Sequence, residues 1–273
     1  MERKCFYDWR DIAGEIVGFV VKNRDSVDYV TFVPDGEPIL DACLGRITEL
    51  VKRETSVRVA VLTNASLLWM ESVRRDLELA DLVSIKVDSV REDVWRRINR
   101  PHLSLRLDRV LEGIKEFAAR YKGVLISETM LVHGTNTGRG EYRDTALFLK
   151  ELRLSKAYIS IPIRPPAESF AKPPTEKELI GAYEEFKEAL GAERVELLNM
   201  PEPPPRLISG DPATWLLNTT AVHPLIYEYA VEALNSRVED PVKLIEELVR
   251  ENLLSKIEYA GTVYLIRNFK HKQ

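Results

Sequence analysis

The run Tyr29-Val30-Thr31-Phe32-Val33 is followed at once by Pro34-Asp35-Gly36-Glu37-Pro38, and the chain then turns amphipathic from Leu44 to Lys52. Five β-branched or aromatic residues in a row read as a buried strand, because the extended backbone accommodates side chains that crowd a helix. The two prolines halt it and hold a glycine and two carboxylates in a tight turn. A helical pattern after the turn makes the unit strand, polar turn, helix. The same unit recurs. Strand-like runs fall at 57–62, 82–87, 124–132, 157–163 and 195–198, with helix-period stretches between them such as 107–121. Near-continuous apolar strands alternating with helices imply a parallel sheet covered by helices, either doubly wound or curled into a barrel. Periodicity does not choose between the two.

Polar residues collect where these strands end. The first runs into Gly36-Glu37, the second into Thr63-Asn64, the third into Asp88-Ser89, the fourth carries Glu128 and ends at His133, and the fifth ends at Arg164. In parallel α/β folds that edge builds sites, since its loops vary while the sheet fixes their roots. Strand ends must also turn polar simply to leave the core, so each residue has a bland reading beside the functional one. Glu37 in particular stands where a carboxylate caps the helix that begins near Pro38. His133 opens the glycine-rich loop His133-Gly134-Thr135-Asn136-Thr137-Gly138, which lacks the lysine and serine of a phosphate-binding loop and reads as a mobile connection. Arg164 starts the extended stretch Arg164-Pro165-Pro166 and is suited to an anionic group.

With 273 residues, 45% hydrophobic and 30% charged, the chain can bury a large core. Its net charge of −4 and pI near 5.8 provide no global field toward nucleic acid or anionic lipid. No apolar run approaches the ~20 residues that span a bilayer. The N-terminus lacks the apolar core of a signal peptide. Cys5 and Cys43 are the only two cysteines. They read as lone thiols in a reducing compartment, and a cytoplasmic protein is expected.

The strand-end segments occur in a recognisable order: Val33-Pro34-Asp35-Gly36-Glu37-Pro38, Val61-Leu62-Thr63-Asn64-Ala65-Ser66, Val87-Asp88-Ser89 with Ile98-Asn99-Arg100-Pro101-His102, Glu128-Thr129-Met130-Leu131-Val132, and Pro162-Ile163-Arg164-Pro165-Pro166. Together they resemble the radical S-adenosylmethionine superfamily, and within it the Fe-S oxidoreductase branch related to the wyosine tRNA-modifying enzymes. The resemblance implies an incomplete parallel (β/α) barrel over about residues 1–200. It implies S-adenosylmethionine as cofactor, with Gly36 and Glu37 holding its ammonium and Asn64, Asp88 and Glu128 near the ribose or substrate. His133 and Arg164 are weaker substrate candidates. The family activity implied is reductive cleavage of the sulfonium to a 5′-deoxyadenosyl radical.

One departure limits that expectation. The superfamily carries a loop of three closely spaced cysteines that binds a [4Fe-4S] cluster, and no such loop occurs in these residues. Either the true start lies upstream, or the chain is a half-protein whose missing piece is discarded or supplied by another chain. In both cases this chain alone is expected to be a poor radical enzyme, and its metal ligands are none. The alternative is a cluster-less module that binds S-adenosylmethionine or a nucleotide, or a winged-helix adaptor that binds RNA or DNA.

The cluster Pro201 to Pro205 reads as a stiff linker over 201–210. Beyond it, helical patterns at 224–234 and 241–253 precede a hairpin through Ala260-Gly261, which suggests a winged-helix-like domain over 211–273. Winged helices often bind DNA or RNA. Here Glu246, Glu247 and Glu251 oppose Lys243 and Arg250 on one helix, so nucleic acid is not favoured as a partner and a protein contact or lid is preferred.

Overall fold

A computed structural model describes residues 2–33, 36–200, 203–207 and 210–269. Asp35 of the first turn, and the linker positions 201, 202, 208 and 209, lie outside the described residues. Two compact units emerge: Met1–Pro162 with Ala171–Asn199, and Ile163–Phe170 with Met200–Gln273.

The first unit is built on six strands: β1 (Tyr29–Phe32), β2 (Arg58–Thr63), β3 (Leu82–Lys86), β4 (Val124–Met130), β5 (Lys156–Ser160) and β6 (Val195–Leu198). All neighbours are parallel and the order is β1-β2-β3-β4-β5-β6. This order decides between the two architectures left open by periodicity. A doubly wound sheet reverses its order at a switch point; here there is no reversal, so right-handed crossovers deposit every helix on one face and the sheet curls like part of a barrel. The helices are α1 (Trp9–Lys22), α2 (Leu44–Thr55), α3 (Glu71–Leu77), α4 (Glu92–Asn99), α5 (Leu107–Arg120), α6 (Arg139–Lys150) and α7 (Glu176–Leu190).

Burial alternates along β4 and in part along β2, where the small Ala60 is covered on both faces. Val59, Val61 and Thr63 are buried, whereas Leu62, on the other face of β2, is 38% exposed. The covered face packs against helix positions such as Leu44, Ile47 and Val51 of α2, spaced to share one stripe, and against Phe117 and Phe186 of α5 and α7, both fully buried. The open face is polar along one row: Lys86, Glu128, Tyr158 and Glu196 are successive register partners from β3 to β6. Capping is uneven, since α2 to α6 begin without a side-chain cap bond. Thr175 and Glu178 form a reciprocal capping box on α7, and Ser56 ends α2 in the left-handed region.

The two cysteines correct the expectation of lone thiols. Cys5 and Cys43 form a disulfide, with Cα atoms 5.2 Å apart. The reason is a short parallel bridge, Lys4 with Asp41, that lays residues 3–5 along residues 40–43 and brings the two side chains together. The inference from free thiols to a reducing compartment falls with it. Among the described residues no helix is long and apolar enough to cross a membrane.

In the second unit, α8 (Pro212–Val222), β7 (Leu225–Ile226), α9 (Tyr227–Leu234) and α10 (Pro241–Arg250) precede the hairpin of β8 (Leu254–Tyr259) and β9 (Thr262–Arg267). The antiparallel order is β7-β9-β8. Three helices and a three-stranded sheet with a terminal hairpin make this a winged-helix-like unit. Asp211 and Asp240 cap α8 and α10, each followed by proline at the first helical position. Ala260 and Gly261 both have positive φ, the conformation a two-residue hairpin turn needs. Leu216, Leu234, Ile245, Leu254 and Leu265 form its core.

Candidate functional site

The candidate site begins with the turn after β1. Glu37 is the N-cap of a short 3-10 helix, Pro38–Leu40, and its Oε1 accepts from the Ile39 amide at 3.3 Å. The same carboxylate reaches across to the end of β2, where the Thr63 hydroxyl and the Asn64 amide (2.8 Å) donate to it. Glu37 therefore cross-links two adjacent strand ends. Burial raises its pKa above the ordinary carboxylate value, against the lowering effect of those three donors. Three bonds on two oxygens leave acceptor capacity for a further donor.

The loop after β2 is held in an uncommon shape. Asn64 Oδ1 accepts from the Ser66 amide, and Ala65, fully buried, has φ +60. A non-glycine residue in that region is costly and persists only where its surroundings impose it. Arg100, at the end of α4, has φ +42. Both positions adjoin one cavity of about 200 Å³. Glu37, Asn64, Lys86, Asp88 and Asn99 form its polar wall, and Trp95, Leu105, Val110 and Ile114 its apolar one.

Asp88 organises the wall. Its side chain is wholly buried. Oδ1 accepts from the Met130 amide at 2.8 Å and from Lys86 Nζ at 3.2 Å, while Oδ2 accepts from Asn99 Nδ2 at 2.7 Å. Lys86 also meets Glu128 Oε1 at 3.3 Å, and Glu128 accepts from the Ser160 hydroxyl at 2.7 Å. Burial disfavours the Lys86 ammonium, but Asp88 and Glu128 outweigh it and raise its pKa. The Asn99 amide nitrogen is committed to Asp88, and its Oδ1 is buried without a partner. A buried carbonyl oxygen with no donor is uncommon and marks a place where a ligand or water donor is missing.

The sequence candidates thus divide. Glu37, Asn64 and Asp88 line one cavity, with Gly36 immediately before Glu37. Glu128 is joined to it through Lys86 but lies within β4, on the open face. His133 does not line it. Its Nδ1 is 2.8 Å from Glu178 Oε2, and Thr137 donates to the other Glu178 oxygen at 2.6 Å. The loop that carries it, expected to be mobile, is instead pinned. Asn136, 1% exposed, donates to the Asp88 and Met130 carbonyls and accepts from the Val132 amide. Arg164 belongs to the second unit, where it lines a smaller cavity with His223, Tyr229 and Tyr264, and the Tyr264 hydroxyl donates to the Ile163 carbonyl at 2.8 Å. Asn99, Lys86 and Ser160 were not singled out as site residues from sequence. Asn99 was nonetheless within the quoted Ile98-Asn99-Arg100-Pro101-His102 segment, and the alternation of β3 could have marked Lys86 as a charge on a strand.

Glu178 permits a pH prediction. Burial opposes its charge, but hydrogen bonds from Thr137, Thr175 and His133 prevail and lower its pKa from 4.5 to about 2. A carboxylate with a depressed folded pKa contributes stability that is complete above the unfolded value and is lost as pH falls through the folded one. Between pH 5 and pH 2 this group should remove about 1 to 2 kcal/mol, after allowance for solvent screening. Glu178→Gln should flatten that part of the stability profile in urea titrations; an unchanged acid limb would disprove the assignment.

A [4Fe-4S] cluster does not fit the residues of this chain. Its shell takes three or four cysteine thiolates. The chain has two, joined to each other, with Asp41 the only further ligand-type group within 4.8 Å among the described residues.

Comparison with known proteins agrees with this picture. The first unit has the fold of the radical S-adenosylmethionine proteins, without their cluster-binding cysteine loop among its residues. A radical SAM methyltransferase from Sphaerobacter thermophilus superposes with a TM-score of 0.52 over 70% of this chain and 58% of that one, at 14% identity. The chain belongs to the UPF0026 family: it is 40% identical over 273 residues to UPF0026 protein MJ1312 of Methanocaldococcus jannaschii, covering all of this chain and 84% of that protein. UPF0026 protein slr1464 of Synechocystis is 38% identical over 131 residues, 48% of each chain. No family model matches.

Proposed function

We propose that this chain binds S-adenosylmethionine in the cavity at the carboxyl ends of β1 to β3, as a radical SAM-type protein whose cluster comes from outside these residues. The observation that carries the reading is the buried, unpartnered Asn99 Oδ1 on the wall shared with Glu37 and Asp88. A ribose hydroxyl is a donor of the kind it lacks. Glu37 takes the ammonium with its remaining acceptor capacity, helped by the carbonyl groups of the Gly36 turn. Asn64 and Asp88 fix the walls on either side, and Glu128, through Lys86, sets the charge on the open face beside them. Reduction of the sulfonium to a 5′-deoxyadenosyl radical requires the cluster, so the residues of this chain bind and orient the cofactor. A substrate of such a step would meet His133 in the first unit, whereas Arg164, in the second, is a separate candidate for an anionic group.

The second unit fits a protein partner better than nucleic acid. The exposed positions of α10 are Val242, Lys243, Glu246 and Arg250, and Lys256 of the hairpin is spent on Glu246. Duplex binding draws its affinity from free cations. A protein partner that supplies the cluster could reach β1, whose one sheet neighbour among the described residues is β2.

Calorimetry with S-adenosylmethionine tests the reading. Glu37→Ala should weaken binding by roughly one to two decades, the cost of a charge-assisted hydrogen bond. Asn99→Ala should weaken it by about tenfold. Absence of binding by the unaltered chain at millimolar ligand would reject the proposal. A lowered melting point with unchanged affinity in Glu37→Ala would reduce Glu37 to a helix cap and cross-link.

A further inference from the structure

We propose that the Cys5–Cys43 disulfide is an exchangeable clasp on the turn that carries Glu37, so that a dithiol reductant loosens the turn and weakens ligand binding in the cavity. The ligand is that of the proposed function, and the inference rests on that reading for this alone.

The clasp has three fastenings besides the disulfide. The Lys4 amide donates to the Leu40 carbonyl at 3.3 Å, and the Ala42 amide donates to the Lys4 carbonyl at 3.1 Å. The Arg3 guanidinium donates to the carbonyls of Ile39 (2.8 Å) and Asp41 (2.9 Å) and pairs with Asp76. The Arg3 guanidinium also donates to the Ser72 hydroxyl at 3.4 Å, and every contact besides those to Asp76 and Ser72 falls on residues 39–42. These residues continue directly from Glu37, which in turn holds the end of β2 through Thr63 and Asn64. The N-terminal segment is thus the outer layer of the polar wall. Beyond Cys5 it has little of its own to keep it in place, for Phe6 is 50% and Tyr7 75% exposed. A segment with few buried apolar contacts opens locally at low cost once its covalent tie is cut.

The two sulfurs differ in the way exchange requires. Cys5 is exposed, whereas Cys43 is 2% exposed and stands at the position just before α2, without a side-chain cap bond. Attack therefore falls on the Cys5 sulfur, and Cys43 is the leaving group. The positive end of a helix favours a departing thiolate, while the Asp41 carboxylate, held by the Cys43 amide at 2.7 Å, works against it. The exchange balances simply. A thiolate of the dithiol bonds to Cys5 Sγ, the Cys5–Cys43 bond breaks, and Cys43 leaves as thiolate and takes up a proton. The second thiol of the reductant then displaces Cys5 from the mixed disulfide. Two electrons pass from the dithiol, now a cyclic disulfide, to the protein, which gains two thiols.

Hydrogen exchange of the whole chain, oxidised and in dithiothreitol with a chelator present, tests the clasp apart from the ligand. Reduction should speed exchange of the Lys4 and Ala42 amides by about tenfold or more, leave those of α5 unchanged, and raise the Kd for S-adenosylmethionine by about threefold to tenfold. Cys5→Ser should behave as the reduced chain without dithiothreitol; should that variant fold poorly, the reduced unaltered chain provides the same comparison. Faster exchange with no ligand binding in either state keeps the clasp and rejects the cofactor reading. Equal protection and equal affinity in both states rejects the clasp and keeps the cofactor reading. Stoichiometric zinc binding by the reduced chain without chelator, with the Lys4 and Ala42 amides still protected, would make Cys5, Asp41 and Cys43 a metal site and also overturn the clasp.

Discussion

Asp88→Ala should lower the stability of the chain by about 3 to 5 kcal/mol, the usual result of removing one partner from a buried charged network. The carboxylate is wholly buried and accepts from Lys86, Asn99 and the Met130 amide. Alanine leaves the Met130 amide and the Asn99 amide without acceptors, and leaves Lys86 to Glu128 alone. Asp88→Asn separates charge from shape. It retains one oxygen but turns an NH2 group toward donors, so it should still lose about half of that stability. Urea denaturation of the three chains measures the series. A loss below about 1 kcal/mol for alanine would mean that the network does not hold the ends of β3 and β4 together.

Loss of the disulfide should destabilise by about 2 to 4 kcal/mol. The bridge closes 38 residues, and loop-closure entropy in the unfolded chain sets an upper value of about 4 kcal/mol. Freedom that the reduced native chain regains by releasing residues 2–7 is subtracted from that value. Guanidinium titrations with and without dithiothreitol give the number directly. A difference near zero would show that the N-terminal segment contributes nothing to the folded state even when tied. Cys43→Ser should fall at or below the reduced protein, since it keeps the volume but buries a hydroxyl in place of the thiol.

The strands were legible in the sequence because they are buried on their covered face and rich in β-branched residues. The runs read at 29–33, 57–62 and 195–198 correspond within one residue at either end to β1, β2 and β6. The barrel-like order was not legible from periodicity, since apolar strands look alike in a reversing sheet and a sequential one. The hairpin through Ala260-Gly261 and the pattern of α10 announced the winged-helix-like unit, but β7 is two residues long and has no period to detect. At the site, residue types at strand ends brought Glu37, Asn64 and Asp88 into view. Asn99 and Lys86 acquire meaning only through Asp88, a partner 11 residues from one and two from the other across a strand end. The disulfide was illegible for a similar reason: cysteines 38 residues apart carry no spacing signature, and only the Lys4–Asp41 bridge brings them together.

The second unit is discontinuous in the chain, since Ile163–Phe170 joins it from a distance while Ala171–Asn199 returns to the first. During synthesis the ribosome releases Ile163–Phe170 well before α8, α9 and α10 exist. The Ile163 carbonyl must then wait for Tyr264, which lies in β9, 101 residues further along the chain. Domains usually complete themselves in order from the N-terminus. Here the nascent chain cannot finish the second unit until β9 has been made. A gene that exchanges only the region after residue 200 for that of a relative would leave the Ile163–Phe170 segment facing foreign helices. Inheritance should therefore keep the two pieces together, and a hybrid should fold only when both come from one parent.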